Sequence, residues 1–245
     1  MERYWGQIAY LGKNLAGWQK QSNAENTVQA YLEKAVFQIT DEKVKITGAG
    51  RTDAGVHAQR QVFHFDLKKP QNQARLLGGI NAIIPREMSV LDLEVVSTDF
   101  HSLRDAKEKW YRYRILNRRM HCPFRQDVVL FYPQPLEVGL IQKAAKYLQG
   151  EHDFSSFCAS GTGAKTMIRN LKTLEIKREG DEIILDFQAP GFLYKMVRNI
   201  TGTLLDVGRG KIEPEEVSEI LKKKDRRAAG PTAPAFGLTL MRIFY

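Results

Sequence analysis

The chain has 245 residues, 43% hydrophobic and 27% charged, enough to bury a core without disulfide or metal staples and too rich in core formers for wholesale disorder. No apolar run approaches the roughly eighteen residues of a membrane helix. Met1-Glu2-Arg3-Tyr4-Trp5 enters a strand-like pattern without a signal-peptide apolar region, and Cys122 and Cys158 form no CxxC pair. Lys plus Arg exceed Asp plus Glu by 37 to 28, so the expected protein is cytosolic, metal-free, soluble and basic.

In chain order, residues 3–11 read as an opening strand. Asn26 with Gln29 forms a capping pattern ahead of a helix carrying Val28, Leu32, Ala35, Val36 and Ile39 on one face. Lys43–Thr47 is predicted as a short strand. Phe63, Phe65 and Leu67 alternate with His64 and Asp66, a half-buried strand. Residues 71–80 are predicted helical and Met88–Val96 extended. The second half echoes this order, with strands over 107–117, 171–178 and 182–189. Its helices cover 138–149, stopped by Gly150, then 192–207 and 213–224, with acids opening and lysines closing the last. Leu238–Phe244 closes the chain as a strand. The order predicts α+β: two helix-backed, mainly antiparallel sheets related by a pseudo-repeat, residues 1–98 and 99–245, with the site expected in a cleft between them.

The charge is uneven. Residues 1–98 hold 12 basic and 10 acidic side chains, and 99–245 hold 25 and 18. Arg104 to Arg119 is densest, with seven basic residues against Asp105 and Glu108. Such a surface favours polyanions, above all nucleic acid; a salt-bridged solvated surface would read the same way.

Two phosphate-loop imitations fail. Gly48-Ala49-Gly50 has Asp53 at the sixth position and leads into a strand. Ser160-Gly161-Thr162-Gly163-Ala164-Lys165-Thr166 lacks the glycines needed at Ala159 and Ala164. Gly48 to His57 is more informative, because three glycines surround one guanidinium, Arg51, and one carboxylate, Asp53. Backbone there can approach a ligand closely, and a carboxylate suits work at a glycosidic centre; a tight turn capped by Asp53 is the plain alternative. A lone His57 reads as structural.

Lys109-Trp110-Tyr111-Arg112-Tyr113-Arg114 mixes rings and cations. As a strand it points Tyr111 and Tyr113 to one side and Arg112 and Arg114 to the other. Rings and guanidinium groups suit a stacked base and a nearby phosphate, or a core strand with charged edges. Arg198 lies beside Val197 and Ile200 on an apolar helix. A buried arginine there needs a carboxylate, which Asp53 or a surface salt bridge can supply.

Together these stretches resemble the tRNA pseudouridine synthase A family, nearly end to end. The hallmark is Ala49-Gly50-Arg51-Thr52-Asp53-Ala54-Gly55-Val56-His57-Ala58. Further matches are Gly17-Trp18-Gln19-Lys20-Gln21, Asn81-Ala82-Ile83-Ile84-Pro85, Phe100-His101, Lys109 to Tyr113, His152-Asp153-Phe154, Phe192 to Asn199, Val207 to Lys211, Asp225-Arg226 and Ala233 to Leu238. The resemblance implies a pseudouridine synthase fold and an isomerase, without cofactor or metal, that converts uridine to pseudouridine at positions 38, 39 and 40 of the tRNA anticodon stem-loop. It implies Asp53 as nucleophile, Tyr111 stacked on the target base, Arg198 paired with the Asp53 carboxylate, and Arg51 drawing the base out of the helix. It also implies a cytoplasmic homodimer holding each tRNA across both subunits. The residue types fit attack on either base or sugar. A catalytically silent tRNA-binding or folding protein on the same scaffold is the other reading, and it has no need of a carboxylate at position 53. The family's usual Tyr-Asp-Gly near the start is Tyr10-Leu11-Gly12 here, with Leu15 where an aromatic is common.

Overall fold

The structure, a computed structural model, describes residues 1–21 and 24–245. It divides into two compact units: Met1–Lys107 with Leu240–Tyr245, and Glu108–Thr239.

The first unit begins β1 (Glu2–Tyr10), α1 (Val28–Thr40), β2 (Thr47–Gly48), β3 (His57–Leu67), α2 (Gln73–Ile83) and β4 (Met88–Val96). β1 pairs antiparallel with both β3 and β4. Tyr4, Gly6, Ile8 and Tyr10 on one side of β1 are buried, as a period of two requires. α1 is capped by Thr27, not Asn26: the Thr27 hydroxyl accepts from the Ala30 N–H at 3.2 Å. Asn26 instead donates to the Asn14 carbonyl, and Gln29 turns inward to donate to the Ile46 carbonyl. The strand expected over Lys43–Thr47 shrinks to Thr47–Gly48, which pairs with His64 and Phe63. Its cause lies in α1: the Ile46 N–H is taken by Glu33 and its carbonyl by Gln29, leaving no ladder to extend.

The second unit contains β5 (Glu108–Leu116), β6 (Leu130–Phe131), α3 (Val138–Lys146), β7 (Gly150–Asp153), β8 (Ile168–Leu171), β9 (Thr173–Glu179), β10 (Glu182–Ala189), α4 (Met196–Gly208) and α5 (Glu216–Lys223). β10 pairs antiparallel with β5 and β9, β6 joins β5 in parallel, and β7 with β8 forms a small ribbon. α3 stops at Lys146, and Gly150, at φ 96°, opens β7 rather than capping the helix. α4 starts four residues later than its apolar run because Lys195 adopts a left-handed turn at φ 57°. β11 (Leu238–Phe244) closes the chain, its residues from Leu240 clustering with the first unit. The result is an α+β chain in which antiparallel pairing dominates. Among the described residues no helix is long and apolar enough to cross a membrane.

Candidate active site

The stretch between β2 and β3 carries Arg51 and Asp53, and it is held chiefly by backbone. Gly17, at φ 93°, lies so close that a Cβ there would sit 2.6 Å from the Thr52 carbonyl. The Trp18 N–H donates to that same carbonyl at 3.1 Å, and the Gly55 N–H donates to Leu15 at 3.3 Å. Within the loop the Val56 N–H closes a turn on the Asp53 carbonyl at 3.1 Å, with Gly55 at φ 81°. Gly12 packs against the Val56 carbonyl with no room for a Cβ and donates its N–H to His57 Nδ1 at 2.9 Å. These are positions where only glycine permits the approach.

Buried side chains support the loop from below. The Tyr10 hydroxyl lies 2.9 Å from Thr52 Oγ1. Gln61, fully buried, donates from Nε2 to the Gly50 carbonyl at 2.9 Å. Burial pushes the Tyr10 phenol up to about 12, so it stays a neutral hydroxyl. Arg51 between them is exposed and Asp53 partly buried. Arg51 makes no hydrogen bond or ion pair among the described residues. His57 spends Nδ1 on a backbone N–H, which fits its structural reading.

In the second unit, β5 alternates as expected. Tyr111 and Tyr113 are buried on one side and Trp110, Arg112 and Arg114 lie on the other. The second side is spent on structure. Arg112 grips Asp186 through two contacts of 2.8 Å, Trp110 Nε1 donates to the same carboxylate at 2.7 Å, and the guanidinium lies 5.1 Å from the indole centroid. Tyr111 meets Phe192 edge-on, 5.2 Å between centroids and 87° between planes. Tyr113 is a core post: its hydroxyl donates to the Pro234 carbonyl at 2.8 Å, and Gly237 packs against its ring.

Arg198, partly buried near the start of α4, is locked to a returning strap. Its Nε donates to the Ala233 carbonyl at 2.8 Å while the Ala233 N–H donates to the Arg198 carbonyl at 3.0 Å. The next residue extends the lock. Asn199 Oδ1 accepts from Thr232 Oγ1 at 2.6 Å and from Arg226 at 3.1 Å, and its Nδ2 donates to Phe157 at 2.8 Å. Gly202 admits the Pro231 carbonyl against the helix, where a Cβ has no space. The structure thus brings Arg51 and Asp53 together in one loop of the first unit, and places Tyr111 and Arg198 on β5 and α4 of the second.

A family profile described as tRNA pseudouridine synthase matches residues 8–101 and 144–245. The chain is 41% identical over 238 residues to tRNA pseudouridine synthase A of Pelobacter propionicus, and 44% identical over 238 residues to the protein of that name in Thermoanaerobacter sp. strain X514, with 97% of each chain covered in both cases. This chain belongs to the tRNA pseudouridine synthase family.

Within that tRNA pseudouridine synthase framework, the first-loop departures divide by burial. Leu11 is exposed, so the change from an acid there touches no core. Leu15 is buried and its carbonyl receives the Gly55 N–H, so an apolar residue still anchors the Asp53 loop. The imitation phosphate loops also resolve: Gly48-Ala49-Gly50 leads into β3 and the Ser160 stretch into β8, neither into a helix. Sequence reasoning missed the Tyr10–Thr52 and Gln61–Gly50 supports and the Asn199–Arg226–Thr232 lock. Their contacts span 6 to 42 positions of sequence, and no spacing rule connects them. The basic motif residue Arg226 is part of that lock, with burial lowering its guanidinium.

Proposed function

We propose that this chain isomerises uridine to pseudouridine at positions 38, 39 and 40 of the tRNA anticodon stem-loop, without a cofactor, with Asp53 as nucleophile. Family membership over most of the chain supports the reaction class and the tRNA substrate. The observation that carries the residue assignment is the loop itself: a carboxylate and a guanidinium two residues apart, on a backbone fixed by Gly17, Trp18, Leu15 and Gly55.

The chemistry asks for these parts. A paired uridine must leave its stack at a cost of a few kcal/mol. Arg51, exposed on the loop, draws the base out, and stacking on Tyr111 returns about 1–3 kcal/mol. Cleavage of the N-glycosidic bond develops positive charge at the ribose, which the Asp53 carboxylate stabilises. Arg198 pairs with that carboxylate, and the α4 strap keeps its guanidinium from collapsing elsewhere. The freed uracil turns and bonds to the ribose through C5 in place of N1; C5 then gives up its proton and N1 takes one up, and water must be kept from the open ribose meanwhile. Surface lysines and arginines position the RNA through its phosphates without specifying sequence. Two copies of the chain hold each tRNA between them, in the cytoplasm.

The test is an unmodified tRNA transcript with uridines at 38, 39 and 40, incubated with the protein and read by carbodiimide-dependent primer-extension stops. Stops at those positions support the reading. Stops elsewhere move the site within the RNA, and tight binding with no stops on any RNA supports the catalytically silent alternative.

A further inference from the structure

We infer that Lys109 is a phosphate ligand for the target nucleotide: its ammonium takes a non-bridging oxygen of a phosphate flanking the uridine stacked on Tyr111. This rests on the synthase reading and adds a contact to it. Lys109 stands two residues before Tyr111 on β5, on the same side of the strand, opposite Ala189 as Tyr111 is opposite Phe187. Two residues of strand span about 7 Å, the scale that separates a nucleobase from the phosphate of its own nucleotide. A flexible four-carbon stem covers the remainder.

The side chain is partly buried, yet among the described residues its ammonium makes no hydrogen bond or ion pair. Two carboxylates of these strands are already taken. Glu108 holds Lys172 at 2.8 Å, and Asp186, on the opposite side of β5, holds Arg112 and Trp110. Burial, with no compensating anion, pulls the lysine down to about 8. A cation kept out of water without a partner is costly, and five other basic residues of the same strand region show how readily this chain supplies carboxylates where structure wants them: Arg112 with Asp186, Arg114 and Arg125 with Glu182, Arg118 with Asp181, Lys172 with Glu108. An anion arriving with the substrate fills the missing role, and in a tRNA-acting protein that anion is phosphate. A lysine suits it as a compact point charge.

The test is a double cycle in protein and RNA. tRNA is assembled by ligation with a neutral methylphosphonate at the phosphate 5′ or 3′ of one target uridine. Native protein, Lys109→Met, Lys109→Gln and Lys109→Arg are compared by kcat/KM for pseudouridine formation. On ordinary tRNA, Lys109→Met and Lys109→Gln are expected to lose roughly ten- to a hundred-fold, the range of a lost charge-assisted contact, while Lys109→Arg keeps most activity. One of the two methylphosphonates is expected to cost native protein a similar factor, and to cost the Met and Gln variants less than about two-fold. Additive losses at both phosphates, or no loss for native protein at either, overturn the proposal even if a variant folds poorly. If native protein makes no pseudouridine on ordinary tRNA, the synthase reading fails and this one falls with it.

Discussion

The Asp53 loop and the Arg198 helix start both hold a charged side chain in place, by opposite means. The loop is fixed by backbone: glycines at 12 and 17 approach within contact of the Thr52 and Val56 carbonyls, and N–H groups of Trp18 and Gly55 complete the clamp. The helix start is fixed largely by side chains: Asn199 gathers Thr232, Arg226 and Phe157, and elsewhere in the same unit Asp186 gathers Arg112 and Trp110 in the same manner. A backbone clamp fails when atoms are added, whereas a side-chain lock fails when they are removed. The loop should therefore be most sensitive to added atoms and the helix start, Gly202 aside, to removed ones.

The largest effect is expected on the side-chain side. Asp186→Ala strands a partly buried guanidinium and an indole N–H, and should cost about 3–4 kcal/mol in denaturant unfolding. Asn199→Ala leaves a buried carbonyl and an arginine without their partner and should cost about 2–3 kcal/mol. Gly17→Ala should cost about 2–3 kcal/mol, since it meets the Thr52 carbonyl and forces a left-handed backbone, and it should slow turnover more than Asn199→Ala does if the loop carries the nucleophile. Equal turnover in both would erase the distinction.

Acid should act on the first unit through one buried histidine. His64, on β3, is held down to about 4 by burial first and then by Arg3 and His101. Its Nδ1 accepts from the Ser102 N–H, and Ser102 in turn donates its hydroxyl to Thr47, at the root of the loop. The unfolded histidine takes a proton near pH 6.5. Stability from the neutral ring is therefore full above pH 6.5 and lost as pH falls from there toward 4, on the order of 2 kcal/mol. His64→Gln should flatten that slope in urea titrations. The smallest effect is Tyr10→Phe, which removes one hydroxyl from Thr52 and should cost about 1 kcal/mol, with a few-fold slower turnover.

The strands were readable as apolar runs: Met88–Val96 and Leu238–Phe244 appear at the expected bounds, buried at Met88, Val90 and Leu93 and at Leu238, Leu240 and Ile243, so each keeps a period of two at its start and shifts it midway. The opening of α4 was not, because Phe192 to Lys195 carry the same apolar pattern as the helix while Lys195 turns left-handed. In the candidate site, residue types drew attention to Asp53, Arg51, Tyr111 and Arg198, and their expected roles came from the family resemblance. What holds them was hidden, since Thr52 meets Tyr10 across 42 positions and Asn199 meets Thr232 across 33. The basic stretch 104–119 shows the same limit of composition: Arg112, Arg114 and Arg118 are engaged with carboxylates, and only structure distinguishes them from Lys109.

The most direct measurement compares native protein with Asp53→Asn on one unmodified tRNA transcript, scoring pseudouridine and binding in the same samples. The amide keeps the size of the side chain and leaves the backbone clamp alone, so the variant is expected to fold and bind tRNA within a few-fold of native. Its pseudouridine formation should fall by roughly a thousand-fold or more. A variant that still modifies tRNA near the native rate would contradict the assignment of Asp53 as nucleophile.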